Sequence, residues 1–171
     1  GSPLPNADRT NYPLRERVRE LGKAYVGGPT AVSCCGANPG MVSWLLKEAL
    51  LKLAADTGLA VDVPNSREAW AGLMQMLGVK GIHVSERDTQ ISANPRPAGV
   101  FVNTWSVDGL LSEGYQPAEL GWGTHERKLP PLGHRFDHGA GYAIWIDRAG
   151  ADTRVRSWCP TAGPQFGYVV T

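Results

Sequence analysis

The hydrophobic pattern of the chain changes its period near residue 79, and this change limits the folds open to it. Before that point, apolar residues recur every three or four positions, as they do on one face of a helix. After it, several short segments alternate apolar and polar residues, as strands do. Helices in the first half and a mixed or antiparallel sheet in the second half predict an α+β fold.

Three helices are predicted in the first half. The first spans about Pro13 to Tyr25, the second starts at Asn38–Pro39 and ends at Gly58, and the third starts at Asn65 or Ser66 and ends at Gly78. Each has an apolar stripe that we expect to be buried: Leu14, Val18, Leu21 and Tyr25 in the first, Val42, Leu45, Leu46, Ala49, Leu50 and Leu53 in the second, and Trp70, Leu73, Met74 and Leu77 in the third.

The remaining segments are predicted as strands and loops. A short buried strand is expected at Thr30–Cys35, a short helix at 106–113 and a long loop at 123–141. Residues 1–13 resemble a leader or linker, and 14–171 form part of one domain. The predicted strands of the second half are Val79–Glu86, Val100–Trp105, Tyr142–Asp147, Thr153–Trp158 and Phe166–Thr171. Because the last of these reaches the final residue, we expect the chain to be a piece of a longer protein.

Composition excludes several classes of protein. Hydrophobic residues make up 42% and charged residues 19%, which is typical of a folded globular domain. The 17 basic and 16 acidic residues show no basic excess, so a nucleic-acid partner is not predicted. No apolar run approaches the roughly 18 residues of a membrane span. Three cysteines, two of them adjacent, together with no secretory signal favour reduced thiols and a cytoplasmic location.

A turn rich in glycine, Gly36-Ala-Asn-Pro-Gly40, leads into the second helix. Its backbone could approach a ligand closely, and the Asn38 amide could contact a carboxamide or an amine. The alternative is that Asn38 only caps the helix. Cys34 and Cys35 could act as nucleophiles beside the helix start, but their place on a predicted buried strand favours a structural role.

Four residues between 125 and 138 have side chains that can bind metals: His125, Glu126, His134 and His138. The stretch between the last two histidines is a poor helix, and no cysteines stand at zinc-site spacing. We therefore interpret them as solvated loop residues and predict no metal.

Glu86, Trp105 and Glu113 are candidates for binding a diammonium ligand, because the first two stand where predicted strands end. Carboxylates pair with ammonium groups, and an indole face attracts a cation by roughly 0.5–2 kcal/mol. The alternative is a core position for Trp105 and solvated surface positions for the two glutamates.

Five sequence blocks resemble, in order and spacing, those of the bacterial homospermidine synthases within the saccharopine-reductase-like enzymes. They are Arg9-Thr-Asn-Tyr12, Ser33-Cys-Cys-Gly-Ala-Asn-Pro-Gly-Met-Val42, Phe101-Val-Asn-Thr-Trp-Ser106, Glu119-Leu-Gly-Trp-Gly-Thr-His125 and Arg154-Val-Arg-Ser-Trp158. The resemblance implies a two-domain enzyme in which a Rossmann domain binds NAD. This chain would then be part of the α+β domain that binds substrate and forms a homodimer.

The resemblance also implies a reaction and its residues. NAD⁺ would take a hydride from one putrescine, and the imine would exchange ammonia for a second putrescine before the hydride returns, so that an aminobutyl group is transferred. Asn38 and Pro39 would lie beside the nicotinamide, and Asn38 would also contact the inner amine. Glu86 would hold an ammonium group, Trp105 would face the cationic centre, and Glu113 would lie toward the entrance.

Two alternatives to this function remain. A carboxynorspermidine or saccharopine dehydrogenase would need Arg or Lys where this chain has Glu86 and Glu113. A polyamine-binding module without catalysis would bind putrescine and not convert it. Since the chain has no G-x-G-x-x-G fingerprint, we expect these 171 residues alone to show no NAD-dependent turnover.

Overall fold

The computed structural model of the chain describes residues 5–33, 36–37, 39–82, 84, 89–102, 105–159 and 163–168, with the side chains of 157–159 and 165–168 excluded. The chain divides into two compact units. The first unit comprises Gly1–Gly27 and Gln90–Thr171, and the second unit comprises Gly28–Thr89.

The predicted α+β class is confirmed: the described residues form four α-helices followed by small antiparallel sheets. The helices are α1 (Asn11–Ala24), α2 (Met41–Asp56), α3 (Arg67–Met76) and α4 (Val107–Tyr115). The strands are β1 (Pro117–Gly121), β2 (Gly133–Arg135), β3 (Ala143–Ala149), β4 (Arg154–Cys159) and β5 (Gly163–Tyr168). Short 3₁₀ helices form at Asn6–Arg9 and Gly150–Asp152. Within the described residues, none of the helices has the length and apolar character needed to cross a bilayer.

The first unit is built on a three-stranded antiparallel sheet in the order β1-β3-β2 and a β4-β5 hairpin. On β3, Ile144 and Ile146 are buried together with Ala118 of β1, as expected when alternate side chains of a strand share one face. Val155 of β4 packs against this cluster. The core of the first unit thus lies on one face of the β1-β3-β2 sheet.

Helix α1 is attached to this unit through polar contacts. Tyr12 is fully buried, and its ring stacks on Phe136 with the centroids 4.0 Å apart. Its hydroxyl donates to the carbonyl of His138 and accepts from the N–H of Gly141, both at 2.8 Å. These two bonds satisfy the buried hydroxyl and fix the start of α1 against the segment before β3.

Glu119 of β1 caps the N-terminus of α1 from another part of the chain. Its Oε2 accepts a hydrogen bond from the backbone N–H of Tyr12 at 2.8 Å, and its other oxygen pairs with Arg15. A carboxylate at this position meets the unpaired N–H groups and the positive end of the helix dipole. The first and fourth of the five sequence blocks are therefore in direct contact.

Glu16 is buried on the same face of α1 and forms an ion pair with Arg19, whose Nη1 lies 2.8 and 2.7 Å from the two carboxylate oxygens. The Arg19 guanidinium holds the pKa of Glu16 below its ordinary value, although burial opposes this. The pair therefore stabilises the fold at neutral pH, and that contribution is lost as the pH falls through the lowered pKa.

The buried face predicted for α1 is wrong. Leu14, Val18, Leu21 and Tyr25 are all more than half exposed. The helix also begins at Asn11, two residues before the start predicted at Pro13, and the 3₁₀ helix Asn6–Arg9 precedes it.

The second unit packs α2 against α3. Leu50, Ala54 and Leu73 form its buried core, and the predicted stripe of α3 (Trp70, Leu73, Met74 and Leu77) packs into it as expected. Of the α2 stripe, Leu45, Ala49 and Leu53 are exposed, so this prediction is only partly correct. The Lys47 ammonium lies 4.5 Å from the ring centroid of Trp44 and 5.3 Å from that of Trp70, so it links the two helices by cation–π attraction.

Several predicted strands differ from the structure. The described parts of Thr30–Cys35, Val79–Glu86 and Val100–Trp105 are not strands. The strands predicted at Tyr142–Asp147 and Thr153–Trp158 are confirmed as β3 and β4. The last one is shifted, because β5 covers Gly163–Tyr168. β1 was not predicted, and β2 lies inside the stretch predicted as a loop.

Candidate functional site

The predicted site residues fall into three groups. Trp105 and Glu113 lie at α4 of the first unit, and Pro39 lies in the turn before α2 of the second unit. Asn38 and Glu86 lie outside the described residues, as do Cys34 and Cys35. Of the predicted residues, Trp105 and Glu113 are therefore the two that lie at one helix, α4: Glu113 is within it, and Trp105 directly precedes its N-cap.

Local sequence explains where α4 begins and ends. Ser106 is its N-cap, and the Ser106 Oγ accepts a hydrogen bond from the N–H of Gly109 at 2.9 Å. Gln116 is extended and precedes Pro117, which disfavours continuation of the helix. The helix is thus held between Trp105 and β1.

The Trp105 ring packs against the first turn of α4. A Cβ atom at Gly109 would lie 2.7 Å from Cζ3 of the indole, so only glycine permits this approach. The Trp105 residue is nevertheless 50% exposed. Trp105 is therefore not a core aromatic residue: its ring is held against the helix, and half of the residue remains exposed to solvent.

Glu113 lies one helical turn beyond Gly109 on the same face, about 6 Å further along the axis. It is partly buried, and this burial raises the pKa of its carboxyl above the ordinary value. None of the described residues forms an ion pair with it. A partly desolvated carboxylate without a cationic neighbour gains more from binding an ammonium group than a fully hydrated one does. Its surroundings also differ from those of a fully solvated surface glutamate.

Gly109 is a functional candidate that the sequence analysis missed. Its signal is the spacing Trp-Ser-x-x-Gly, in which the serine caps the helix and the glycine makes room for the preceding tryptophan. The hydrogen bond from Gly109 to Ser106 and the contact with Trp105 both depend on this spacing.

We expect Gly109→Ala to displace the indole, and Gly114→Ala in the same helix to leave it in place. An added Cβ at Gly114 meets only Ala151, at 3.7 Å, which is an ordinary contact. Indole N–H cross-peaks in ¹H–¹⁵N NMR spectra of the two variants would measure this. A Trp105 cross-peak that moves no more in Gly109→Ala than in Gly114→Ala would contradict the packing described here.

The turn before α2 is closed by its own backbone. The N–H of Gly36 donates to the carbonyl of Pro39 at 2.8 Å, and the N–H of Met41 donates to the carbonyl of Gly36 at 2.9 Å. Gly40, with φ of 134°, is the N-cap of α2, so the start predicted at Asn38–Pro39 is two residues too early. A conformation with this φ favours glycine.

The two backbone hydrogen bonds of this turn decide whether it could hold the diphosphate of NAD. Two of the N–H groups that could hold a diphosphate are already paired within the turn. The described part of the turn therefore does not fit the diphosphate of a dinucleotide. Pro39 is exposed at its surface, and Asn38 next to it was predicted to contact the nicotinamide.

The three histidines considered as metal ligands have other neighbours. The His134 ring stacks on Trp145 with the centroids 4.3 Å apart, His138 Nδ1 lies 2.8 Å from Asp137, and His125 Nε2 lies 3.3 Å from Glu126. His138 lowers the pKa of Asp137. Within the part of the chain that the structure describes, no three His, Cys, Asp or Glu side chains are grouped so that they could hold a metal ion.

Comparison with known proteins gives consistent relatives. The chain is 57% identical over 168 residues to the homospermidine synthase of Mesorhizobium japonicum, covering 97% of this chain and 35% of that protein. It is 58% identical over 163 residues to that of Blastochloris viridis, covering 95% and 34%. The crystal structure of homospermidine synthase from Legionella pneumophila in complex with NAD matches with a TM-score of 0.79 and 47% identity, over 95% of this chain and 35% of that one.

These relatives confirm the resemblance found in the five sequence blocks. The chain spans about 35% of the length of the curated relatives it matches. Residues 36–168 also match the family described as the saccharopine dehydrogenase C-terminal domain. The chain therefore belongs to the saccharopine dehydrogenase C-terminal domain family.

Proposed function

We propose that this chain supplies substrate-binding residues of a homospermidine synthase, which transfers an aminobutyl group from one putrescine to another and releases ammonia. The observation that carries the proposal is the identity of 57–58% to two curated homospermidine synthases over nearly the whole chain. The arrangement of Trp105 and Glu113 supports it, because it suits an alkylammonium ligand.

The chemistry of this ligand explains why an indole and a carboxylate belong together. Putrescine carries an ammonium group at each end at neutral pH, and the transfer passes through a cationic imine of the substrate. Trp105 offers ring surface to that cation, and Glu113 pairs with an ammonium group one helical turn away. The two residues would bind the positive charges of the substrate at two separate points and so orient its carbon chain.

A saccharopine-type substrate fits this arrangement less well. Such substrates carry carboxylates, which require Arg or Lys in the pocket. At α4 the carboxylate of Glu113 lies one turn beyond Gly109, which the Trp105 ring contacts, and it repels such carboxylates. The level of identity to the curated homospermidine synthases supports the same choice.

NAD, when bound, would supply a reversible hydride acceptor. Its use by this protein is inferred from the solved relative in complex with NAD. We infer that a dinucleotide-binding domain lies in a part of the protein outside these 171 residues, and that Asn38 and Pro39 contact the nicotinamide end. Contact of Glu86 with an ammonium group, a homodimeric full-length protein and a cytoplasmic location are part of the same proposal.

Glu113→Gln should raise the KM for putrescine by about 5- to 10-fold with a smaller change in kcat, since the amide keeps the shape but loses the charge. The measurement uses a chimera in which this chain replaces the matched 34% of the Blastochloris viridis protein. Glu68→Gln, an exposed glutamate of α3, removes the same charge elsewhere and is the control.

The pH dependence of KM provides a second test of the same residue. Only the ionised carboxylate attracts an ammonium group, so KM should rise as the pH falls through the raised pKa of Glu113. Glu113→Gln should abolish this rise. A KM that is unchanged in Glu113→Gln, or that changes equally in Glu68→Gln, would contradict the proposed role.

A further inference from the structure

Helix α1 has two opposite faces, and among the described residues only its polar face is packed. Tyr12 and Glu16, four residues apart, are buried against the first unit. On the other side lie four apolar residues that we call the α1 stripe; their exposed fractions are 57% for Leu14, 52% for Val18, 57% for Leu21 and 73% for Tyr25.

The spacing of the α1 stripe is that of a packed helix face. Its members follow one another at intervals of four, three and four residues, so they form one continuous apolar row. Beside it runs a cleft of about 630 Å³, lined by Pro13, Leu21 and Ala24 together with charged residues. An apolar row next to a cleft is typical of a surface that another element covers.

We propose that the α1 stripe is covered by the dinucleotide-binding domain of a longer protein that contains this chain. The curated relatives are about three times as long as this chain, which covers 34–35% of them. The match to the C-terminal domain family begins at residue 36, so α1 lies before it. A dinucleotide-binding sheet is covered by helices that pack through apolar faces, and the α1 stripe has that character.

The size of the stripe favours this partner over a second copy of the chain. Four side chains paired with four others bury less than the roughly 1,200–2,000 Å² of a stable interface between proteins. Between two domains of one chain, interfaces of about 600–1,500 Å² are usual, because the covalent link keeps the domains close. The proposal rests on the dinucleotide-binding domain inferred above but not on the reaction, because the test below measures the covering of α1 and not turnover.

Thiol labelling of Leu21→Cys tests the proposal, with the 171-residue chain and the chimera compared side by side. Peptide mass spectrometry reads the label at residue 21 separately from the native cysteines. Lys23→Cys is the control, because the Lys23 side chain is 65% exposed and two residues away on the same helix. We expect labelling at residue 21 to be on the order of 100-fold slower in the chimera, and labelling at residue 23 to be equal in both proteins.

Equal labelling of residue 21 in the two proteins would overturn the proposal. Slow labelling of residue 21 in the 171-residue chain would also overturn it. A labelling rate that falls with protein concentration would mean that a second copy covers the α1 stripe. A slow rate that is independent of concentration would mean that another part of this chain covers it. Hydrogen exchange of the unsubstituted proteins makes the comparison without any substitution. Amides of α1 should exchange more slowly in the chimera, and equal rates would also overturn the proposal.

Discussion

Trp105→Ala should lower the kcat of the chimera for putrescine by about 10- to 30-fold, whereas Trp105→Phe should lower it only a few-fold. The alanine removes the ring face, and the loss of roughly 2 kcal/mol of cation–π attraction in a partly dried site corresponds to the larger factor. Phenylalanine keeps a ring with a weaker attraction. Because the cationic imine exists only during the reaction, the loss should appear in kcat as well as in KM.

Two controls separate this role from a structural one. Trp105→Leu retains apolar bulk without a ring. Its kcat should therefore be close to that of Trp105→Ala, and its melting temperature close to that of the unsubstituted chimera. Since Trp105 is half exposed, neither Trp105→Ala nor Trp105→Leu should unfold the protein. Truncation of a core tryptophan, in contrast, lowers the free energy of unfolding by about 3–5 kcal/mol. A large fall in melting temperature with unchanged kinetics of the folded fraction would show that the tryptophan is only structural.

Glu119→Ala should destabilise the first unit by about 2–3 kcal/mol. The Glu119 side chain is only 8% exposed and accepts from the Tyr12 N–H while it pairs with Arg15. Its removal leaves a helix N–H without its partner and an arginine without its counter-charge. Hydrogen exchange of the Ile144 and Ile146 amides in β3, adjacent to β1, would measure the free energy of opening.

An exposed ion pair provides the control for this effect. Glu20 and Lys23 of α1 are 2.7 Å apart, but both side chains are more than 60% exposed. Glu20→Ala should therefore change the opening free energy little. Glu119→Gln keeps an acceptor for the Tyr12 N–H, so its effect on the opening free energy should lie between those of Glu119→Ala and Glu20→Ala. Equal effects of Glu119→Ala and Glu20→Ala would mean that the cap from β1 does not stabilise α1.

Local signals predicted the elements that depend on local interactions. The start of α3 was predicted from the capping residues, and Ser66 Oγ does accept from the N–H of Ala69 at 3.1 Å. The short helix expected at 106–113 forms as α4, capped by Ser106. In both helices the capping bond joins residues only three positions apart.

The orientation of α1 could not be predicted in this way. The apolar spacing located the helix, but the partners that choose its buried face are distant in sequence: Glu119 is 107 residues from Tyr12, and His138 is 126 residues away. The two unpredicted strands have a similar cause. β1 starts with Pro117 and β2 with Gly133, both of which are typical of turns, and each forms because β3 pairs with it.

The candidate site was predicted by resemblance more than by pattern. From the residues alone, a tryptophan at a strand end is usually a core residue, and a glutamate is usually solvated. The exposure of Trp105 and the raised pKa of Glu113 follow from how α4 packs, which the sequence pattern did not reveal. Asn38 and Glu86 remain predictions because they lie outside the described residues.

The most direct test of the proposed function is product formation by the chimera supplied with putrescine and NAD⁺. Mass spectrometry would follow homospermidine and ammonia, with the unmodified Blastochloris viridis protein as the reference. We expect one ammonia for each homospermidine and a rate within about tenfold of the reference, without net reduction of NAD⁺. A folded chimera that binds putrescine and forms no homospermidine would contradict the account.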